Sequence, residues 1–318
     1  MALITPFDDF PIHQTAETLA VPSSSDRNHY DRYWFNGFSE EKDFLFEIGV
    51  GFYPNRHIMD AHFSISTAGK QYSYHASARM NPARYPINIG PISLEILEPM
   101  QNIRFSLKDP EKKLSCDLIF NAITEPHLEP KSLMIEGTRK ILETSRFTQF
   151  GKWDGSIETE SGNLDLTKEY GTRDKSWGVR PVGEPEIGAP GKLNAEPGVY
   201  WCWIPINFGD TFTHFGTFED HDGNSTQLSA DLVEISNNEV IKPLNNISHK
   251  VDWIKGTRWS SGAQISAQEG DKKIEINAKA CGPRFHCKGI GYQHPEWGHG
   301  FWKGEEACLL YTSPSPRD

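Results

Sequence analysis

The sequence has no long run of hydrophobic residues. A membrane-spanning helix needs about 18 or more consecutive apolar residues, and no segment of the chain reaches that length. The first residues, MALITPFDDFPIHQ, carry acids and a proline where a secretory signal carries positive charge followed by an apolar stretch. We therefore predict a cytoplasmic protein without a transmembrane segment, and leave peripheral membrane contact open.

Cysteine is scarce, and its placement argues against two kinds of site. Five cysteines are scattered along 318 residues, which favours reduced thiols over a disulfide framework. One tract near the end collects residue types that bind metals, namely Cys281, His286, Cys287, His294, Glu296 and His299. Its two cysteines are separated by five residues, a spacing that fits neither a zinc finger nor an HExxH site. We predict no metal and no cofactor.

Clusters of Lys and Arg are also missing. The net charge is −11, whereas nucleic acids are bound by clustered cations that displace counterions. We therefore predict a small-molecule partner and no nucleic-acid partner. The sequence leaves the oligomeric state open.

Helix-forming composition is rare, and strand signals dominate. Only Thr138 to Ser145 has helix-forming composition over more than a turn or two. Short segments rich in β-branched and aromatic residues, such as Phe44 to Tyr53, alternate with Gly, Pro, Asn and Asp. Many short strands of even length predict an all-β sandwich or barrel.

An internal echo predicts two units. The pair Tyr33-Trp34 recurs as Tyr200-Trp201, and at the same spacing Asp43 and Gly49 match Asp210 and Gly216. A Trp-Gly pair closes each half, and a segment rich in Pro and Gly separates the halves. The predicted order is an N-terminal extension 1–25, a first barrel 26–182, a linker 183–198, a second barrel 199–308 and a non-native tail 309–318 that resembles translated adapter sequence.

Two strings carry a resemblance to known proteins: YGTRDKSWGVRP, from Tyr170 to Pro181, and GIGYQHPEWGHGFWKG, from Gly289 to Gly304. Together they resemble the signature of a bacterial family of uncharacterised proteins. That family is similar to the hydroxyneurosporene synthase (carotenoid hydratase), AttH-like and tocopherol-cyclase group of the calycin superfamily. The resemblance implies two tandem lipocalin-like antiparallel β-barrels.

The resemblance also implies candidate residues in the first string. In the carotenoid hydratases the matching tract has a form like His-Asp-His-Asn-Trp-Gly. By position, Asp174 matches the acid, Ser176 the Asn and Trp177 the Trp. Arg173 and Lys175 stand where histidines would, so proton delivery here needs a differently tuned acid.

Several interpretations of this first tract stay open. In a catalytic one, Asp174 has its pKa raised by burial and protonates a double bond, while Trp177 offers a π-face to the cation. In a structural one, Arg173 or Arg180 pairs with Asp174 and Trp177 plugs a barrel end. Alternatively, Arg173 and Arg180 anchor a ligand without chemistry.

The second string adds three candidates. His294 is expected either to shape a turn, bonded to a backbone carbonyl, or to act as a general acid–base. Trp297 and His299 are expected to contact a ligand.

The second half of the chain adds two more. Strand alternation places Phe212 and His214 on one face and Thr213 and Phe215 on the other. If the first face is the lumen, His214 orients a ligand in an aromatic cavity; otherwise it is a rim histidine. Trp201 is expected in core or lid packing, or against a ligand.

The leading functional prediction is binding of a hydrophobic small molecule, a lipid or an isoprenoid, in a barrel cavity. Eight-stranded barrels can hold one small ligand. One alternative is a cofactor-independent hydratase, cyclase or isomerase that acts on an isoprenoid-like substrate by acid catalysis. Another is a structural scaffold with filled barrels, because a fold alone does not choose among functions.

Overall fold

The computed structural model describes residues 4–111, 113–182, 200–220, 222–234 and 240–312. Short 3₁₀ helices span Pro6–Asp9, Pro54–Arg56 and Cys287–Ile290. In the described residues the strands are β1 (His29–Ser39), β2 (Phe44–Tyr53), β3 (Ile58–Thr67), β4 (Lys70–Arg79), β5 (Ile87–Ile89), β6 (Ile92–Glu98), β7 (Asn102–Lys108), β8 (Leu114–Ala122), β9 (His127–Leu128), β10 (Ser132–Glu136), β11 (Arg139–Thr159), β12 (Gly162–Val179), β13 (Tyr200–Asn207), β14 (Thr211–Glu219), β15 (Ser225–Glu234), β16 (Val240–Pro243), β17 (Asn245–Trp253), β18 (Ser260–Glu269), β19 (Lys272–Lys279) and β20 (Glu306–Thr312). The predicted all-β class is confirmed. None of the described helices is long and apolar enough to cross a membrane.

The chain divides into two compact units. Of the described residues, those between 4 and 182 and between 282 and 312 form the first unit, and those between 200 and 281 form the second. The predicted linker, residues 183–198, lies outside the described residues, as do residues 313–318 of the predicted tail.

The first unit is one antiparallel sheet that curls on itself. Its strands follow the order β20-β4-β3-β2-β1-β12-β11-β8-β7-β6-β5, with β9 and β10 paired to β11. The two ends of this order come together, because a Cβ built on Gly90, in the β5–β6 turn, would lie 3.4 Å from the Cβ of Ala307 in β20. The sheet therefore has a barrel-like form.

Aromatic side chains fill the interior of this curled sheet. Alternate residues of β2 point inward, so that Phe46 packs against Trp153 with ring centroids 5.3 Å apart. Trp153 also contacts Phe120 at 5.2 Å and donates its indole N–H to the carbonyl of Asn36 at 2.8 Å. The interior of the first barrel around Trp153, where the sequence predicts a ligand, is therefore filled by packed side chains.

The second unit contains two smaller antiparallel sheets. One has the order β13-β14-β15-β16 and the other β17-β18-β19. Their facing sides share one hydrophobic core, which includes Phe215, Leu244, Ile265 and Ile276.

Residues 282–312 belong to the first unit, whereas the predicted boundary assigned residues up to 308 to the second barrel. The cause is long-range pairing, because β20 adds to the edge of β4 with Glu306 opposite Ser77. This strand includes Leu309 to Thr312, which the sequence prediction excluded from the fold. The helix-forming stretch Thr138 to Ser145 also differs, since Arg139–Thr159 is a strand whose propensity is overridden by sheet pairing.

Candidate functional site

The candidate site lies on the outer face of the first unit's sheet. All ten residues of β3 are buried, on both faces of the strand. The outer face there is polar, and its buried side chains from β1, β3, β4 and β12 include Arg32, Asp60, His62, Ser64, Ser66, Gln71, Ser73, His75, Ser77, Asp174 and Ser176. Buried polar groups on a sheet face need partners, which the chain supplies by covering this face.

Residues 282–305, here called the cover segment, lie across this face. The side-chain amide of Gln71 donates to the carbonyl of His286 at 2.9 Å and accepts from the backbone N–H of His286 at 2.7 Å. Ser66 donates to the carbonyl of Arg284 at 2.7 Å. The backbone N–H of Gly300 donates to Oδ2 of Asp60 at 2.6 Å. These contacts attach both ends of the cover segment to the sheet.

Two glycines of β2 make room for the polar side chains. A Cβ on Gly49 would lie 2.4 Å from Nη2 of Arg32, and one on Gly51 would lie 2.6 Å from Oδ1 of Asp60. Asp60 also accepts a hydrogen bond from the Tyr53 hydroxyl at 3.3 Å. The string GVG is therefore required for close packing beside the site.

A pair of buried imidazoles forms the centre of the cluster. His62 and His75 are opposite each other in β3 and β4, and their Nδ1 atoms are 2.7 Å apart. Such a contact requires one ring to donate and the other to accept, so a neutral pair carries one Nε2–H and one Nε2 lone pair. Neither Nε2 atom has a hydrogen-bond partner among the described residues. Burial, with His62 and His294 nearby, holds the pKa of His75 well below its usual value.

His299 is held between two arginines. Its Nε2 donates to the carbonyl of Ile290 at 2.7 Å, and its Nδ1 accepts from Nη2 of Arg180 at 3.1 Å. Nη2 of Arg32 lies 3.2 Å from the same imidazole. Burial and then the charges of Arg32 and Arg180 hold the pKa of His299 well below its usual value. His299 is therefore a neutral imidazole with a fixed tautomer.

His294 and Trp297 pack against His75 from the cover segment. Their rings lie 5.3 Å and 5.7 Å from the His75 ring. Nδ1 of His294 accepts the backbone N–H groups of Glu296 at 3.1 Å and Trp297 at 2.9 Å. The predicted turn is present, but the ring accepts from backbone N–H groups where a bond to a carbonyl was expected. Neutral His294 consequently carries its proton on Nε2.

A cavity of about 470 Å³ opens beside these histidines. Apolar lining comes from Ile141, Pro181, Val182 and Phe301, and polar lining includes Arg139, Arg180, Tyr292, His294 and His299. The described residues that line it include two arginines and no carboxylate. The arrangement suits a molecule with an apolar body and an electron-rich oxygen.

Asp174 lies on the same outer face, paired in register with Trp34 of β1. Burial raises its pKa to about 6, although Arg146, Arg32 and Arg180 oppose the shift. A second carboxyl, that of the half-buried Glu47 of β2, accepts a hydrogen bond from the Trp34 indole at 3.4 Å, and desolvation raises its pKa to about 7. Both carboxyls can hold a proton near neutral pH.

Trp177 and Arg173 lie on the opposite face of β12 from Asp174. Trp177 is paired in register with Asp31 and packs edge-on against Phe147 at 6.4 Å. Arg173 donates to the amide oxygen of Gln149 at 2.7 Å. Trp177 therefore offers no π-face to Asp174, and Arg173 does not pair with it, because side chains an odd number of residues apart in a strand point to opposite faces.

Two other predicted site residues belong to the second unit. Phe215 faces its core, so His214 lies on the other face of β14, against Trp203 at 5.8 Å. His214 therefore does not line the interior. Trp201 also points away from this core and stacks on Trp203 at 6.2 Å and on Phe218 at 5.9 Å.

The structure thus brings together Asp174, Arg180, His294, Trp297 and His299 and adds residues that the sequence analysis did not select. The main additions are Arg32, Asp60, His62, His75 and Tyr292. The strings IMDAHFSIST and KQYSYHASAR contain the missed signal, since polar residues alternate with apolar ones in two adjacent strands. Among the described residues no three His, Cys, Asp or Glu side chains are placed to share a metal ion.

Comparisons with known proteins place the chain in a family and show its fold. The model of a family described as "Family of unknown function (DUF8625)" matches residues 4–311. A search of functionally curated proteins finds no match. The chain is similar to the crystal structure of an AttH-like protein from Nitrosomonas europaea, with a TM-score of 0.53 and 14% identity over 86% of this chain and 83% of that one. It is also similar to kievitone hydratase from Nectria haematococca, with a TM-score of 0.51 and 12% identity over 87% and 83%. These likenesses support the AttH-like and hydratase-like fold expected from the two sequence strings.

Proposed function

The chain belongs to the DUF8625 family, and from this premise we propose that the first unit binds a small molecule in the cavity beside His294 and His299. The ligand places an apolar body, of lipid or isoprenoid type, against Val182 and Phe301. Its electron-rich oxygen accepts hydrogen bonds from Arg180. The observation that carries this proposal is a cavity of about 470 Å³ with cationic and apolar lining, since ligand pockets commonly measure about 300–1,000 Å³.

The test is native mass spectrometry of the protein as purified from cells. We expect a copurifying small molecule on the wild type and loss of most of it in Arg180→Gln, because the charge-assisted hydrogen bond is removed. Arg104→Gln is the matched control, since Arg104 is 46% exposed, pairs with Asp117 and does not line the cavity. Equal occupancy in all three proteins, or none in the wild type, would contradict the proposal and favour a scaffold with filled barrels.

A second candidate function is acid–base catalysis on the same ligand, by a cofactor-independent hydratase, cyclase or isomerase. The observation that favours it is the row of neutral imidazoles, because His294 at the cavity wall presents Nε2–H and contacts the coupled pair His75 and His62. The pair can take up a proton at one Nε2 while it releases one from the other. This allows proton addition and removal at different atoms. The fold shared with a hydratase agrees with this chemistry.

Incubation with the copurified molecule in D₂O separates catalysis from binding. A hydratase, cyclase or isomerase that protonates carbon should introduce carbon-bound deuterium, which mass spectrometry detects. We expect His294→Gln to keep the ligand but to lose about 10²-fold or more in the rate of labelling. If labelling is absent in the wild type, or unchanged in His294→Gln, His294 has no catalytic role and only the proposal of ligand binding stands.

A further inference from the structure

The second unit contains a cavity of its own. It has a volume of about 600 Å³ and is lined by residues of β14, β15, β16 and β19. Its apolar lining includes Leu232, Leu244, Ile274 and Ile276, which also contact the hydrophobic core between the two sheets. The cavity therefore opens directly onto core, where an apolar molecule is taken out of water.

One polar group in its wall has no partner. Thr213 lines the cavity, is 1% exposed and points to the same side of β14 as the core residue Phe215. Its hydroxyl makes no hydrogen bond with any described residue. A buried hydroxyl without a hydrogen-bond partner costs stability. A ligand that supplies this partner therefore gains affinity.

The charges at the cavity cancel one another. Three lysines and three glutamates line it, and Lys242 lies between Glu234 at 2.7 Å and Glu269 at 3.1 Å. Lys273 pairs with Glu275 at 2.6 Å. Such a rim gives no net attraction to an ion of either sign. An uncharged ligand suits it better than a carboxylate.

We propose that the second unit binds an uncharged apolar molecule that carries one hydroxyl or carbonyl group, at a site separate from the cavity of the first unit. The apolar part lies against Leu232, Leu244, Ile274 and Ile276. The polar group hydrogen-bonds to the hydroxyl of Thr213. A medium-chain alcohol is the simplest molecule of this class.

Fluorescence titration of the full chain with N-phenyl-1-naphthylamine, an uncharged apolar probe, tests the site. Leu232→Trp should fill the cavity and weaken probe binding by about tenfold or more. Leu228→Trp is the matched control, because Leu228 lies on the same strand and face but does not line the cavity. Val182→Trp, in the cavity of the first unit, should leave the part of the probe binding that Leu232→Trp removes in place, so that failure at this site is distinguishable from failure of the proposed function.

Competition tests the chemical class of the ligand. Decanol should displace the probe at a concentration about tenfold lower than decanoate does. Thr213→Val should keep the fold and weaken the binding of decanol by about fivefold, because one hydrogen bond is lost. Equal effects of Leu232→Trp and Leu228→Trp, or undiminished binding in Leu232→Trp, would overturn the site. Decanoate as effective as decanol, or undiminished decanol affinity in Thr213→Val, would overturn the ligand class.

Discussion

At the scale of single residues, the candidate site contains titratable groups whose charged forms are disfavoured by burial. His75 and His299 both have lowered pKa values, while Asp174 and Glu47 have raised ones. Burial disfavours the charged form of each group, so the shifts run in opposite directions for bases and acids. The two imidazoles are therefore neutral at pH 7, whereas Asp174, with a pKa of about 6, is mostly ionised at pH 7 and takes up a proton as the pH falls below 6.

Asp174→Asn tests this at one residue. The pKa of Asp174 is raised above its unfolded value, so its contribution to stability is present below about pH 4 and lost as the pH rises through about 6. The variant should be more stable than the wild type at pH 7 by up to about 3 kcal/mol and equally stable near pH 4. Urea unfolding at both pH values measures this difference.

Asp117→Asn provides the control for that measurement. The hydrogen bond and charge of Arg104 lower the pKa of Asp117, so removal of its carboxylate should not stabilise the protein at pH 7. If Asp174→Asn is no more stable than the wild type at pH 7, the charges of Arg146, Arg32 and Arg180 offset the cost of burying the Asp174 carboxylate. The pKa of Asp174 is then not raised toward neutral pH.

At the scale of elements, the cover segment decides whether the polar face becomes a site. Strand alternation in β3 and β4 already places His62 and His75 on one face with Asp60, and the same rule separates Asp174 from Trp177. Both features could have been predicted from the sequence once the strands were assigned. The position of the cover segment could not, because it depends on pairing between β20 and β4 across more than 200 residues. The face of β14 that carries the core likewise depends on its partner sheet.

Gly289→Ala tests the seating of the cover segment. A Cβ at this position would lie 2.4 Å from Nε2 of Gln71 and 2.5 Å from Oγ of Ser64, so the segment must move away from the sheet. We expect a loss of about 1–3 kcal/mol in the free energy of unfolding. Hydrogen exchange of residues 284–303 should also become faster.

Gly216→Ala is the matched control for the cover segment. A Cβ there would come no closer than 3.4 Å to any atom, so its stability should change little. If Gly289→Ala leaves both stability and exchange at wild-type values, the cover segment does not lie tightly on β3 and β4.

At the scale of the whole molecule, the two units offer different environments to a ligand. The cavity of the first unit lies outside a filled aromatic interior and beside arginines and histidines. The cavity of the second unit opens onto a hydrophobic core between two sheets. The all-β class follows from local sequence patterns, and the two sequence strings contain the five predicted site residues that the structure brings into one cluster. The filled interior of the first unit does not, because side-chain packing across a closed sheet is set by residues far apart in the chain.

The most direct test of the central claim is a crystal structure of the protein with its copurified ligand. The account predicts ligand density in the first unit beneath the cover segment, with an oxygen within hydrogen-bond distance of the Arg180 guanidinium and carbon atoms against Val182 and Phe301. Ligand density among the aromatic residues around Trp153, with the cavity beside His299 left empty, would contradict it.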